Sequence, residues 1–210
     1  MADLTAFYPW VEVAVEGAPR KVVEQAVRRS IDRFLRYTGL WNVQHAAIPL
    51  EDGEASYAVT PPEDGLLTRL SAVHFKTDPL SPAHPGWGAQ YTGGFAPYAY
   101  WVPADPQNTI VLSPTPAGTL TAEDTITFLG IYTLVADAET VPDFLATEYL
   151  EGIVDGAIQM LLAIPGKGWS DPVEAERRRR SFMKSCADGR VRAATGGTVS
   201  VLPVAHRYFA

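Results

Sequence analysis

The chain has 210 residues, 47% of them apolar and 20% charged, enough to bury a core as one domain, or as one helical domain carrying an inserted β module, without staples. The single cysteine, Cys186, excludes an intramolecular disulfide, the four scattered histidines (His45, His74, His84, His206) have no zinc-ligand spacing, and neither a signal peptide nor a bilayer-length apolar run is expected. The net charge of −7 is uneven: residues 18–36 carry six Lys/Arg against two Asp/Glu, residues 167–210 nine against four, and residues 37–166 two against fifteen, so two physically distinct parts with different neighbours are expected.

Ala6 to Glu12 is aromatic and short and reads either as a turn of helix or as an extended packing arm. Pro19 then opens an amphipathic helix of about twenty residues. Val23, Val27, Ile31 and Phe34 form its stripe, widened by Ala26 and Leu35, and Arg20, Lys21, Glu24, Arg28, Asp32 and Arg36 form the opposite face. Gly39 is its predicted stop.

After Gly39 the period changes to that of strands. Trp41 to Leu50 is predicted as a strand, Glu51 to Glu54 as a hairpin turn, and Ala55 to Thr60 as the partner strand. Leu66 to Phe75 is a third strand. Residues 76–107 form a long loop rich in Pro, Gly and aromatics, among them Trp87, Tyr91, Phe95, Tyr98, Tyr100 and Trp101. Thr109 to Ser113 is a short strand, and Ile126 to Ala136 is expected to be a core strand.

Helix returns after Val141, with Phe144, Leu145, Tyr149, Ile153, Ala157, Met160 and Leu161 on its apolar face, and runs to about Ile164. Pro165-Gly166-Lys167-Gly168 breaks it. Asp171-Pro172-Val173-Glu174 is a capping box opening a third helix to about Val191. That helix is expected to turn Val173, Phe182, Met183 and Cys186 toward a core, with fraying at Gly189. The predicted fold is α+β: a small α-helical bundle of three main helices, an inserted antiparallel β-sandwich or curled sheet, and an extended C-terminal tail. Its divisions are residues 1–40, 41–140, 141–192 and 193–210.

Catalytic and cofactor chemistry find little footing. Lys167 is followed by Gly168 rather than Ser or Thr and is preceded by a helix, which rejects a Walker phosphate loop. No serine sits in a nucleophile elbow, and Cys186 reads as a small buried hydrophobe. Glu148, Glu151 and Asp155 share helical spacing and are read as an exposed acidic face rather than a cation site. No enzyme activity, cofactor or metal is expected. Arg177-Arg178-Arg179-Arg180 sweeps all sides of a helix, so the four cannot face one partner. At least two of them are expected to form ion pairs with Glu174 and Glu176 on a solvated helix.

Four patches carry a resemblance. They are Phe7-Tyr8-Pro9-Trp10-Val11-Glu12 with Gly17-Ala18-Pro19, the helix Val22 to Arg36 and Trp41; Ile48-Pro49-Leu50 through Tyr57 and Leu66 to Val73; Tyr149 through Leu161 with Ala163-Ile164-Pro165-Gly166-Lys167-Gly168-Trp169-Ser170-Asp171-Pro172; and Arg177 to Arg192 with the apolar tail. In this order they resemble the head–tail adaptor, or connector, family of tailed phages and gene-transfer-agent-like particles. The loop 76–107 matches no part of that pattern.

The resemblance implies a structural virion protein of the neck, made in the host cytoplasm. It implies a ring of twelve copies between the portal protein and the tail or neck proteins, with double-stranded DNA passing through without sequence readout and no membrane partner. It also implies portal binding through Val199, Val201, Leu202, Val204, Arg207 and Tyr208, and subunit contacts through Arg28, Arg29, Arg36, Arg177 and Arg180. The apolar tail suits strand addition to another chain and equally a last strand on its own domain. The acidic middle either lines a channel, where it would repel DNA, or is ordinary surface. The aromatic loop either grips a partner or packs on the β module. A competing reading is a β-sandwich module of a phage tail that binds carbohydrate or protein, for carbohydrate through Trp87, Tyr91 and Trp101. A small hydrolase using acidic residues is a third.

Overall fold

The structure is a computed structural model, and it describes residues 1–83, 96–104 and 108–196. The chain separates into two compact units. One, the β unit, comprises Met1–Leu4 and Trp41–Asp143. The other, the helical unit, comprises Thr5–Leu40 and the chain from Phe144 onward.

A 3₁₀ turn, Leu4–Phe7, runs into α1 (Tyr8–Ala14) of the helical unit. The 19-residue α2 (Arg20–Thr38) follows the expected stripe: Val23, Ala26, Val27, Ile31, Phe34 and Leu35 are all buried. It stops at Gly39, which takes the left-handed φ of 66° that glycine adopts without penalty. From residue 143 onward come α3 (Asp143–Glu148), α4 (Leu150–Leu162) and α5 (Pro172–Thr195). Asp171 caps α5, its Oδ1 accepting from the Val173 and Glu174 amides at 3.0 Å each.

Every residue of α4 from Gly152 to Ile158 is buried, because α4 is covered by α1, α2 and α5. Glycines permit the close approach. A Cβ on Gly156 would lie 2.3 Å from Ser30 Oγ and 2.6 Å from the Phe182 ring, and one on Gly152 would lie 2.5 Å from Ser185. Ser30 is fully buried and donates to the Ile153 carbonyl at 2.6 Å, so its hydroxyl joins α2 to α4.

The β unit holds three sheets among the described residues. β1 (Ala2–Asp3) pairs with β11 (Thr140–Val141). A five-stranded sheet centres on β10 (Thr125–Leu134) and β5 (Gly65–Phe75). β2 (Asn42–Gln44) and β3 (Ile48–Pro49) lie on the other edge of β10, and β6 (Asp78–Pro79) lies on β5. The four-stranded sheet runs β4 (Ser56–Ala58), β9 (Thr109–Ser113), β8 (Ala99–Trp101), β7 (Ser81–Pro82). The chain changes sheets at Leu80, whose amide bonds Val73 while the next amide, of Ser81, bonds Tyr98. Ile126, Phe128, Ile110 and Leu112 are at most 1% exposed and supply the dry centre.

The architecture corrects the prediction of three main helices carrying one antiparallel sandwich or curled sheet. The chain is α+β, with five α-helices and three sheets among the described residues. The strand Trp41 to Leu50 is two short strands that pair with β10, while β4 pairs with β9. Glu51 to Glu54 therefore connects two sheets and is not a hairpin turn. Tyr57 holds that connection, accepting from the Glu51 amide at 3.1 Å and donating to the Glu54 carbonyl at 3.0 Å. One strand pair, β7 with β8, is parallel. The helix predicted from Pro142 to Ile164 is interrupted at Tyr149, whose ring lies 4.9 Å from that of Phe34. The helix α5 does not fray at Gly189. That glycine is buried where a Cβ would lie 2.8 Å from Thr38, and the helix continues to Thr195, capped by Gly196 at φ 62°.

Candidate interaction surface on the helical unit

α2 and α5 carry most of the positive charge, and in this fold much of it is answered within one helical turn. Arg20 pairs with Glu24, and Arg36 holds both oxygens of Asp32 at 2.9 Å. On α5, Glu174 receives Arg177 and Arg178, and Glu176 receives Arg179 and Arg180. These hydrogen bonds from arginine hold the carboxyls of Glu174 and Glu176 down to about 2, and they raise the guanidinium pKa of Arg177 and Arg179. The expected pairing of the arginine run with Glu174 and Glu176 is present, and it involves all four arginines.

Arg178 reaches further. It donates to Asp155 of α4 at 2.5 Å, and that bond is the main reason its own pKa is raised. Asp155 is buried, 9% exposed. This corrects the exposed acidic face expected of Glu148, Glu151 and Asp155. Glu148 ends α3 and is bonded by Arg192, Glu151 is exposed on α4, and Asp155 points inward to an arginine. Helical spacing places residues on a face, but only the packing of α5 decides whether that face meets water. Cys186 is buried, and burial pushes its thiol up to about 11, so it behaves as a small apolar side chain.

Of the predicted subunit-contact residues, Arg29, Arg36, Arg177 and Arg180 are exposed and Arg28 is half-buried. Arg36, Arg177 and Arg180 carry the intrachain pairs just described. The predicted portal-binding residues Val199, Val201, Leu202, Val204, Arg207 and Tyr208 lie outside the described residues, as do Trp87 and Tyr91. Trp101 of β8 is half-buried at a shallow cleft it shares with Arg69 and Tyr100.

Two surface features escape helical patterning. The first is a groove of about 340 Å³ between α1, α4 and α5, floored by Val154 and Ile158, walled by Trp10, Ala14 and Leu150, and edged by Glu151 and the Arg178–Asp155 pair. Trp10 is 61% exposed at its lip. The second is on α5, where Val173, Met183 and Val191 are 82%, 41% and 57% exposed. Val173 and Met183 were expected in the core. The core stripe of α5 is instead Ala175, Phe182, Cys186 and Gly189, and the exposed apolar residues form a second stripe on another side of the helix. Among the described residues no group of His, Cys, Asp and Glu is arranged to hold a metal ion, and no helix is long and apolar enough to cross a membrane.

A family model described as SU10 adaptor protein matches residues 10–198, a stretch that takes in most of α1, all of α2, almost all of the β unit and α3 to α5. No curated protein matches the chain.

Proposed function

The chain belongs to the SU10 adaptor protein family, which makes it a phage structural adaptor and a virion component that meets other head or tail proteins, and we propose that it forms a ring between portal and tail through which double-stranded DNA passes. In this reading twelve copies close the ring, the helical divisions 1–40 and 141–192 form its body, and 41–140 is the inserted β module. The segment 193–210 docks on the portal through Val199, Val201, Leu202, Val204, Arg207 and Tyr208. Arg28, Arg29, Arg36, Arg177 and Arg180 take part in contacts between copies. DNA is not read by sequence, and no cofactor or catalytic residue has a part.

The observation that carries this reading is the family match over 10–198, which includes the Pro165–Asp171 break between α4 and α5. The charge pattern supports the contacts. Exposed pairs such as Arg177–Glu174 and Arg180–Glu176 contribute little to folding, so their arginines can turn to a neighbour's acids at small cost to the subunit.

Mixing the protein with its portal and viewing the product by negative-stain electron microscopy tests the reading. A closed ring seated on the portal is expected. Deleting residues 197–210 is expected to leave thermal unfolding unchanged and to abolish docking. If the truncated chain docks as the full chain does, the tail is not the portal contact.

A further inference from the structure

α5 has apolar residues on two sides. Its inward stripe, Ala175, Phe182, Cys186 and Gly189, is buried against the helical unit. Its outward stripe, Met183, Ala187, Val191 and Ala194, recurs at spacings of four, four and three and is exposed throughout. At about 100° per residue such a series is one continuous face, roughly 16 Å long. Arg180, Lys184 and Arg190 flank it, and Lys184 and Arg190 have no ion-pair partner among the described residues. A solvated helix has no use for a second apolar stripe, and one edged by cations fits a partner that is apolar and acidic.

The same unit carries such a surface. The groove between α1 and α4 presents the exposed Trp10 and the half-buried Leu150, and Glu151 at its edge has no ion-pair partner among the described residues. The two surfaces lie on opposite flanks of α5. Arg178 borders the groove, and Ala187, nine positions on, is about half a turn round the helix. Neither surface can reach the other within one subunit. Complementary patches on opposite sides of one chain make a head-to-tail contact, which closes into a ring when the rotation between copies allows.

We infer that the outward stripe of α5 in one copy seats in the α1–α4 groove of the next, with Met183 and Val191 against Trp10 and Leu150, and with Lys184 and Arg190 answering Glu151. This rests on the ring reading above and assigns the two surfaces that form the ring.

The test uses the full chain assembled on its portal. Glu151→Arg and Lys184→Glu, each alone, are expected to raise the protein concentration needed for half-maximal ring formation by about tenfold or more, because each sets like charges across the contact. The double variant Glu151→Arg with Lys184→Glu is expected to recover assembly. A second measurement does not depend on charge: with Ala14→Cys and Ala187→Cys in one chain, mild oxidation is expected to give a ladder of linked copies from assembled rings, whereas Ala14→Cys alone gives none. Rings that form equally well from both single charge variants, a double variant that stays defective, or a missing ladder would each overturn the inference and leave the ring reading standing. If the unaltered chain forms no ring on the portal, both fall.

Discussion

In the helical unit, the buried faces of α2 and α5 are each written in residues spaced as a helical stripe, α4 between them is buried on every side from Gly152 to Ile158, and glycines at 152, 156 and 189 let the helices close to contact. In the β unit, most strands are two or three residues long, and several find their partners far along the chain: β2 and β3 on β10, β4 on β9. The first unit is limited by volume, since its helices already touch at positions without side chains. The second is limited by pairing, since β5, β9 and β10 hold most of the short strands in place. Even β10 changes habit along its length. It alternates buried and half-buried residues as far as Leu129, then passes two register shifts and is buried throughout, with Tyr132 laid back over Gly130 and bonded to His45 at 2.5 Å. The pair is sheltered: burial pushes the Tyr132 hydroxyl up to about 12 and lowers the pKa of His45, whose ring stacks on Phe128.

The sharpest way to break this contrast is to remove volume from one unit and add it to the other. Phe128→Ala empties the centre of the β unit and is expected to destabilise it by about 4 kcal/mol. Gly156→Ala overfills the helical unit and is expected to destabilise it by about 3 kcal/mol, because Ser30 and Phe182 must both move. Hydrogen exchange read by mass spectrometry tells the units apart: the first variant should deprotect β5 and β10 before α4, and the second α4 before β10. Simultaneous loss in either variant would mean that the units unfold as one.

A smaller effect separates the arginines of α5. Arg178→Ala strands the carboxylate of Asp155 and is expected to destabilise the chain by about 2 kcal/mol, below the range for a fully buried pair because Arg178 is 32% exposed. Arg180→Ala is expected to stay within about 0.5 kcal/mol. Urea unfolding midpoints measure both, and equal effects would show that the α4–α5 bridge adds nothing to the exposed pairs.

The smallest expected effect is in acid. The Lys76 ammonium, with the amide and hydroxyl of Thr121, holds Asp124 of the β unit at about 2, as arginines hold Glu174 and Glu176 of the helical unit. All three sit below their ordinary values of 3.8 and 4.5. The unfolded chain therefore takes up protons first, and the stability these groups contribute is complete above pH about 4.5 and lost as pH falls toward about 2. Thermal unfolding at pH 5, 4 and 3 should show the decline. One molar salt should lessen it more for the helical pairs, which are the more exposed, than for Asp124, whose side chain is 12% exposed.

The sequence by itself determined the elements whose information is local. These are the stripe of α2 and its stop at Gly39, the cap at Asp171, the strand spans of β5, β9 and β10, the buried state of Cys186 and the pairing of the arginine run with Glu174 and Glu176. Each depends on residues within a turn or two, or on an alternation visible along one strand. Only the tertiary structure decided which strands pair, that Glu51 to Glu54 joins two sheets, that Tyr149 divides α3 from α4, and that Gly189 is a contact rather than a weak point. It also decided that Val173 and Met183 face water while Asp155 does not. Periodicity fixes the direction of a side chain relative to its own helix or strand; what stands in that direction is set by another part of the chain, and no window of sequence contains both.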